Sequence, residues 1–233
     1  MKHLLFTIAL FLSSLCAAAQ GVAIYGTDGT RLDIPQSQIQ SIEFFETTVL
    51  PLTQPAEAEA VDLGLSVRWA TCNVGATKPE EAGAYFAWGE VAEKEEYSWA
   101  TYFDADCSTT GAGICGTATY DAAAAAWGGQ WRLPSLAEVQ ELCDHCSWTW
   151  TEQEGHAGCT VTGPNGNSIF LPAAGTRQGT GLYLEGAYGS LLTGTLDTTN
   201  RYYNRSLVFY STSEHWIDTN LRDYGQSVRA VCK

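Results

Sequence analysis

The chain opens on an apolar run, Leu4 to Leu15, preceded by Lys2 and His3 and followed by Ala17-Ala18-Ala19. A basic start, a short apolar stretch and an A-x-A site predict a secretory signal peptide, residues 1–19. The run is shorter than the roughly 20 residues a membrane span requires, and no later segment reads as a span. A lipid anchor at Cys16 is disfavoured, because Leu15 stands where a small residue should precede the cysteine. Residues 20–46 read as a small β unit. "VAIYGTDGTRLDIP" places two β-rich runs around Asp28-Gly29, a hairpin signal, and "IQSIEFFE" predicts a third strand. Two prolines and alternating Ala/Glu in "TTVLPLTQPAEAEA" make residues 47–60 a linker. The main domain runs over 61–233.

Within that domain strands and loops dominate, and two helices stand out. "YDAAAAAWGG" has Asp121 to cap its start and glycines to end it. In "LPSLAEVQELCDHC" Ser135 and Glu138 form a capping box, and Leu136, Val139, Leu142 and Cys143 recur on one helical face. "CTVTGPNGNSIFLP" reads as a hairpin about Asn165-Gly166, and "YGQSVRAVCK" as a last strand. In "SLVFYS" alternation predicts Leu207 and Phe209 inward, Val208 and Tyr210 outward. The pattern as a whole is α+β.

Composition narrows the function. Without its signal the chain has 26 acidic and 11 basic residues, and such an acidic surface repels phosphate backbones, so nucleic acid is an unsuitable partner. Of eight tryptophans, seven precede residue 151 and are expected mostly in the core. Seven cysteines remain after export. Cys107 with Cys115, Cys72 with Cys232, and Cys146 with Cys159 are the candidate disulfides, and an odd count leaves at least one thiol over.

Residues 198–220, "TTNRYYNRSLVFYSTSEHWIDTN", hold ten Ser, Thr or Asn and five aromatic residues among 23. Rings give contact area with few rotors to freeze, and small polar residues give adaptable hydrogen bonds, as in a paratope. The candidate ligand-binding residues are Tyr202, Tyr203, Asn204, Tyr210, Ser213, His215, Trp216, Asp218, Asn220 and Tyr224. The competing reading is an ordinary strand with a polar face.

Other chemistry is weaker. Cys143 and Cys146 form a C-x-x-C at a helix end, where the dipole is negative, whereas an activated thiolate needs the start. Adding His156 and Cys159 gives zinc-type ligands, but export favours a disulfide. Asp104, Asp106 and Ser108 begin a calcium-loop pattern that lacks its glycine and its final glutamate. No phosphate-binding glycine loop and no Ser/His/Asp spacing is present, and Glu152, Glu154 and Glu93-Glu95-Glu96 read as solvated charges. No cofactor is implied. Asn204-Arg205-Ser206 is a glycosylation sequon.

"VDLGLSVRWATCNVGATKPEEAGAYFAWGE", "WGGQWRLPSLAEVQEL", "GNSIFLPAAGTR" and "YGQSVRAVC" occur in that order. Together they resemble the Fibrobacter succinogenes major paralogous domain, found in exported proteins of Bacteroides-type bacteria, over nearly all of 61–233. "RLPSLAEVQEL" is similar to the "RLPTEAEWEYA" helix, and "GQSVRAV" to the "GFRVV" strand, of the formylglycine-generating branch of the C-type-lectin-like fold. The resemblance implies two helices flanking short antiparallel sheets, chain ends close together and a late ligand-binding face, which in some relatives is diversified by retroelements. Where the family has "YWSS", this chain has Leu191 and Leu192. The reactive cysteine pair of the branch is missing, since residues 160–231 contain no cysteine, and the calcium tripeptides of sugar-binding lectins are missing too. The expected function is therefore a non-enzymatic module at a cell surface, recognising a protein or a glycan. A structural subunit of an adhesin or fimbria-like assembly is the alternative, and a degenerate formylglycine-type enzyme the third.

Overall fold

The computed structural model describes residues 21–25, 31–35, 59–102 and 113–233. The chain divides into two compact units, 1–48 and 49–233. In the first, β1 (Gly21–Tyr25) and β2 (Arg31–Pro35) pair antiparallel from Gly21↔Pro35 to Tyr25↔Arg31, the hairpin predicted about Asp28-Gly29. The signal segment, the third strand of this unit and most of the 47–60 linker lie outside the described residues.

The second unit is built mostly of small antiparallel sheets with two helices. Its first strands are β3 (Ala60–Asp62), β4 (Arg68–Ala70) and β5 (Tyr85–Phe86). Helix α1 (Ala122–Trp127) starts where Asp121 accepts the Ala124 amide, and α2 (Leu136–His145) starts in the predicted capping box of Ser135 and Glu138. Three strands follow as a meander: β6 (Ser147–Gln153), β7 (His156–Thr162) and β8 (Ser168–Pro172). A short hairpin, β9 (Thr176–Gln178) and β10 (Gly181–Tyr183), leads into β11 (Tyr188–Leu196), β12 (Tyr203–Tyr210) and β13 (His215–Leu221). The chain closes with β14 (Gln226–Ser227) and β15 (Val231–Cys232).

The principal sheet has the order β13-β12-β11-β14-β5. Its centre, β11, is covered on both sides, which explains a run that is buried from Tyr188 to Gly194. Leu191 packs with Val139 and Leu142 of α2, Trp69, Leu207 and Phe209. Leu192 packs on the opposite side with Phe86, Trp88, Ala123 and Val228. The two leucines are thus one anchor in each core. Gly189 is needed beside them: a Cβ there would lie 1.9 Å from the Phe209 ring, which crosses the strand at that point. Tyr85 and Phe86 pair at the sheet's other end, and the Trp88 indole donates to Thr193 O at 3.0 Å.

The predicted last strand is in fact two. Val228, Arg229 and Ala230 carry the chain from the principal sheet, where β14 ends, to a second sheet of order β15-β4-β3. Arg229 is fully buried in that crossing. It donates from Nε to Asn73 Oδ1 at 2.8 Å, and from its two terminal nitrogens to Ala70 O and Phe170 O at 2.9 Å each. Burial lowers its pKa, yet three neutral acceptors satisfy it without a carboxylate. Tryptophans fill the core as expected at Trp69 and Trp88, both fully buried, but Trp99 is 41 % exposed.

Two expected disulfides are not formed. The ends of the domain do meet on β4, but Cys232 faces Arg68 at its start, while Cys72 lies past its other end, and both remain thiols. The β6–β7 register likewise sets Cys159 opposite Trp150, in the middle of β6, while Cys146 caps the end of α2 before that strand begins, and both remain thiols. Cys107, and with it the third pairing, lies outside the described residues, as do Asp104, Asp106 and Ser108.

Candidate recognition face

Strand register decides which late residues share a surface. Across β12 and β13, Val208 faces Trp216, Ser206 faces Asp218 and Asn204 faces Asn220. Across β11 and β12, Tyr188 faces Tyr210 and Ser190 faces Val208. Directly opposed residues lie on one face of a sheet. One side of the principal sheet therefore carries Tyr188, Ser190, Asn204, Ser206, Val208, Tyr210, Trp216, Asp218 and Asn220. Leu191, Leu207, Phe209 and Ile217 take the other side, against α2.

The floor of this face is a closed polar network. Ser190 and Ser206 hydroxyls donate to Gln226 Oε1 at 2.9 and 2.5 Å. The Gln226 amide donates to Asn204 Oδ1 at 3.3 Å, and the Asn204 amide to Ser206 Oγ at 2.7 Å. All four side chains are fully buried. A buried network with its groups satisfied is rigid, because each member holds the next in one orientation. Asn204, expected as an outward contact, is corrected to part of this floor. Its sequon is closed for the same reason. Val208, expected outward, is also buried, beneath the ring layer and beside Ser190.

Above the floor stands a ladder of rings. Tyr188 and Tyr210 have centroids 4.8 Å apart, and Tyr210 and Trp216 are stacked at 5.3 Å and 19°. Trp216 ends the ladder and is 41 % exposed. Two positions along from it, Asp218 Oδ1 accepts the Thr219 amide at 2.8 Å, and its second oxygen accepts from no described residue. Asn220 donates to Ser190 Oγ at 3.4 Å and also bonds the Tyr188 side chain, which ties it into the floor. Burial raises the Tyr188 pKa, and burial followed by the Asp218 charge raises that of Tyr210, so both phenols stay neutral donors. An open indole face beside a carboxylate and an amide can hold a flat apolar surface edged by hydroxyls.

The other five predicted residues lie elsewhere. Tyr203 and His215 belong to the α2 side of the sheet. The His215 ring stacks on Trp148 at 4.2 Å, and its nitrogens lie 3.0 Å from Ser213 O and 3.4 Å from Cys143 O. Ser213, at φ 63° in the β12–β13 turn, accepts the Trp150 amide at 2.9 Å. Tyr224 is half-buried past the end of β13, and its hydroxyl is raised by burial and by Asp223. Tyr202 is 54 % exposed and meets Trp99 edge-on at 5.4 Å, a second exposed aromatic pair. Sequence reasoning missed Tyr188, Ser190, Ser206, Gln226 and Trp99. Alternation along β12 groups Ser206 with Asn204 and Tyr210, but the others enter only through the pairing of distant strands.

The C-x-x-C thiols are not activated. Burial pushes Cys143 and Cys159 up to about 12 and raises Cys146, so all three stay protonated. Among the described residues no three His, Cys, Asp or Glu side chains converge on a metal position, and no helix is long and apolar enough to cross a membrane. Comparison with protein-family models, with curated proteins and with solved structures finds no match to this chain.

Proposed function

We propose that this chain is an exported, non-enzymatic recognition module of C-type-lectin-like architecture. It binds a glycan or a protein through the face of β11, β12 and β13. The observation that carries the reading is the Trp216 indole: backed by Tyr210 on a rigid floor, exposed, and beside the unused oxygen of Asp218. A pyranose suits such a shelf, with its C–H face on the ring and a hydroxyl on the Asp218 carboxylate. Binding of this kind needs no calcium.

A glycan array with the purified chain tests it. Trp216→Ala and Asp218→Asn should each weaken a hit by about tenfold or more, a loss of about 1.4 kcal/mol, without unfolding the protein. Chelator should leave the hit intact. Tyr203→Ala, on the opposite side of the sheet, should bind as wild type. Loss of binding in Tyr203→Ala with retention in Trp216→Ala would remove this face from consideration.

One observation favours assembly as a second reading. Trp99 and Tyr202 are exposed together, edge to face, and exposed rings of that size suit a protein interface. Concentration-dependent self-association abolished by Tyr202→Ser would support it.

A further inference from the structure

A cavity of about 240 Å³ lies apart from the recognition face, between the 80–82 segment, the β6–β7 turn, the end of β8 and residues 185–186. It shares no side chain with the ring ladder. Glu80 lines it and is only 5 % exposed. The Glu80 carboxylate accepts one hydrogen bond, from the neutral Gln153 amide to Oε2 at 3.2 Å. Its second oxygen accepts none from the described residues, and no described cation pairs with it. Lys78, two residues away, is exposed and attracts Glu81 instead. At the mouth, Glu185 adds a second carboxylate and His156 an imidazole. A carboxylate oxygen without a donor, on a side chain this little exposed at a cavity wall, suits a positive group entering the cavity. The cavity is roomy enough for one long side chain.

We propose that this cavity binds a protonated amine or guanidinium, carried as a lysine or arginine side chain of a peptide or protein partner, with Glu80 as its counter-ion. The peptide source follows from the rim. Tyr183 and Leu184, 52 % and 60 % exposed, directly precede Glu185 and offer an apolar shelf for residues flanking the cation. Leu184 is held at φ 59°, a conformation unfavourable for a bulky side chain.

Titration of the ¹⁵N-labelled chain with small probes tests this, read at the amides of Gly155 and Gly186, which line the cavity. N-acetyl-lysine methylamide and N-acetyl-arginine methylamide should give saturable shifts with a Kd of about 1 mM. N-acetyl-norleucine methylamide, which lacks the charge, should give none. Glu80→Gln keeps a polar partner for Gln153 and should weaken the cationic probes by about tenfold or more. Glu185→Gln, at the exposed mouth, should cost about threefold. Trp216→Ala should bind the probes as wild type does, so failure here and failure of the recognition face are separate results. Equal shifts with the norleucine probe, or undiminished binding by a folded Glu80→Gln chain, overturn the proposal. Binding of n-butylammonium as tight as that of the lysine amide overturns the peptide source and assigns the site to free amines.

Discussion

Trp216 and Asn204 lie on the same face of neighbouring strands, yet truncating them should have opposite consequences. Asn204→Ala removes a fully buried member of a four-residue network, leaving the buried Gln226 amide without its acceptor and Ser206 Oγ without the Asn204 donor. A loss of about 1–3 kcal/mol in urea denaturation is expected. Trp216→Ala removes a part-exposed ring at the end of its ladder and should cost only the stack on Tyr210, about 1 kcal/mol, while abolishing most of the binding. Sequence alone could not separate the two. Both are polar or amphipathic residues in a polar-aromatic stretch, and only the register Asn204↔Asn220 beside Gln226 shows which lies beneath. Alternation placed Leu207 and Phe209 correctly, because hydrophobic identity and period agree there. It failed at Val208, since this strand has something packed on both sides.

Local chemistry was more legible where it acts over a few residues. Both helices could be read from their caps, because Asp121 and Ser135 satisfy amides within three or four positions. Ser135→Ala should cost about 1 kcal/mol. Glu138 adds a pH dependence. Burial alone would raise its pKa, but the hydrogen bonds from Arg132 and Ser135 outweigh burial and hold the carboxyl below its ordinary 4.5. A depressed carboxylate contributes stability that is full above the unfolded value and is lost as pH falls through the folded one. The stability gap between wild type and Glu138→Gln should therefore narrow as pH drops below about 4.5 and be unchanged above it, as measured by denaturation at several pH values. The closing segment was harder to read. "SVRAV" has the composition of one strand, and nothing nearby in sequence reveals that Arg229 must stop to collect acceptors from Ala70, Asn73 and Phe170.

Those three acceptors come from two stretches about 100 residues apart, so Arg229 joins the closing segment to β4 with the loop after it, and to β8. Arg229→Met should leave all three unsatisfied in the interior and cost about 3–5 kcal/mol, enough to bring thermal unfolding down by many degrees. The α+β class was legible from two capped helices among short strands, but sheet order was not, because β14 beside β5 and β15 beside β4 are pairings across most of the domain. Residues 60 and 232 flank β4 from either side, about 12 Å apart by strand spacing and offset. A splice of a few glycines and serines would span that gap. Circular permutation with new ends between Gly129 and Gln130, both exposed, should then give a chain that folds with both cores intact. In such a permutant the recognition face and the Glu80 cavity would move to new places along the chain while staying where they are in space.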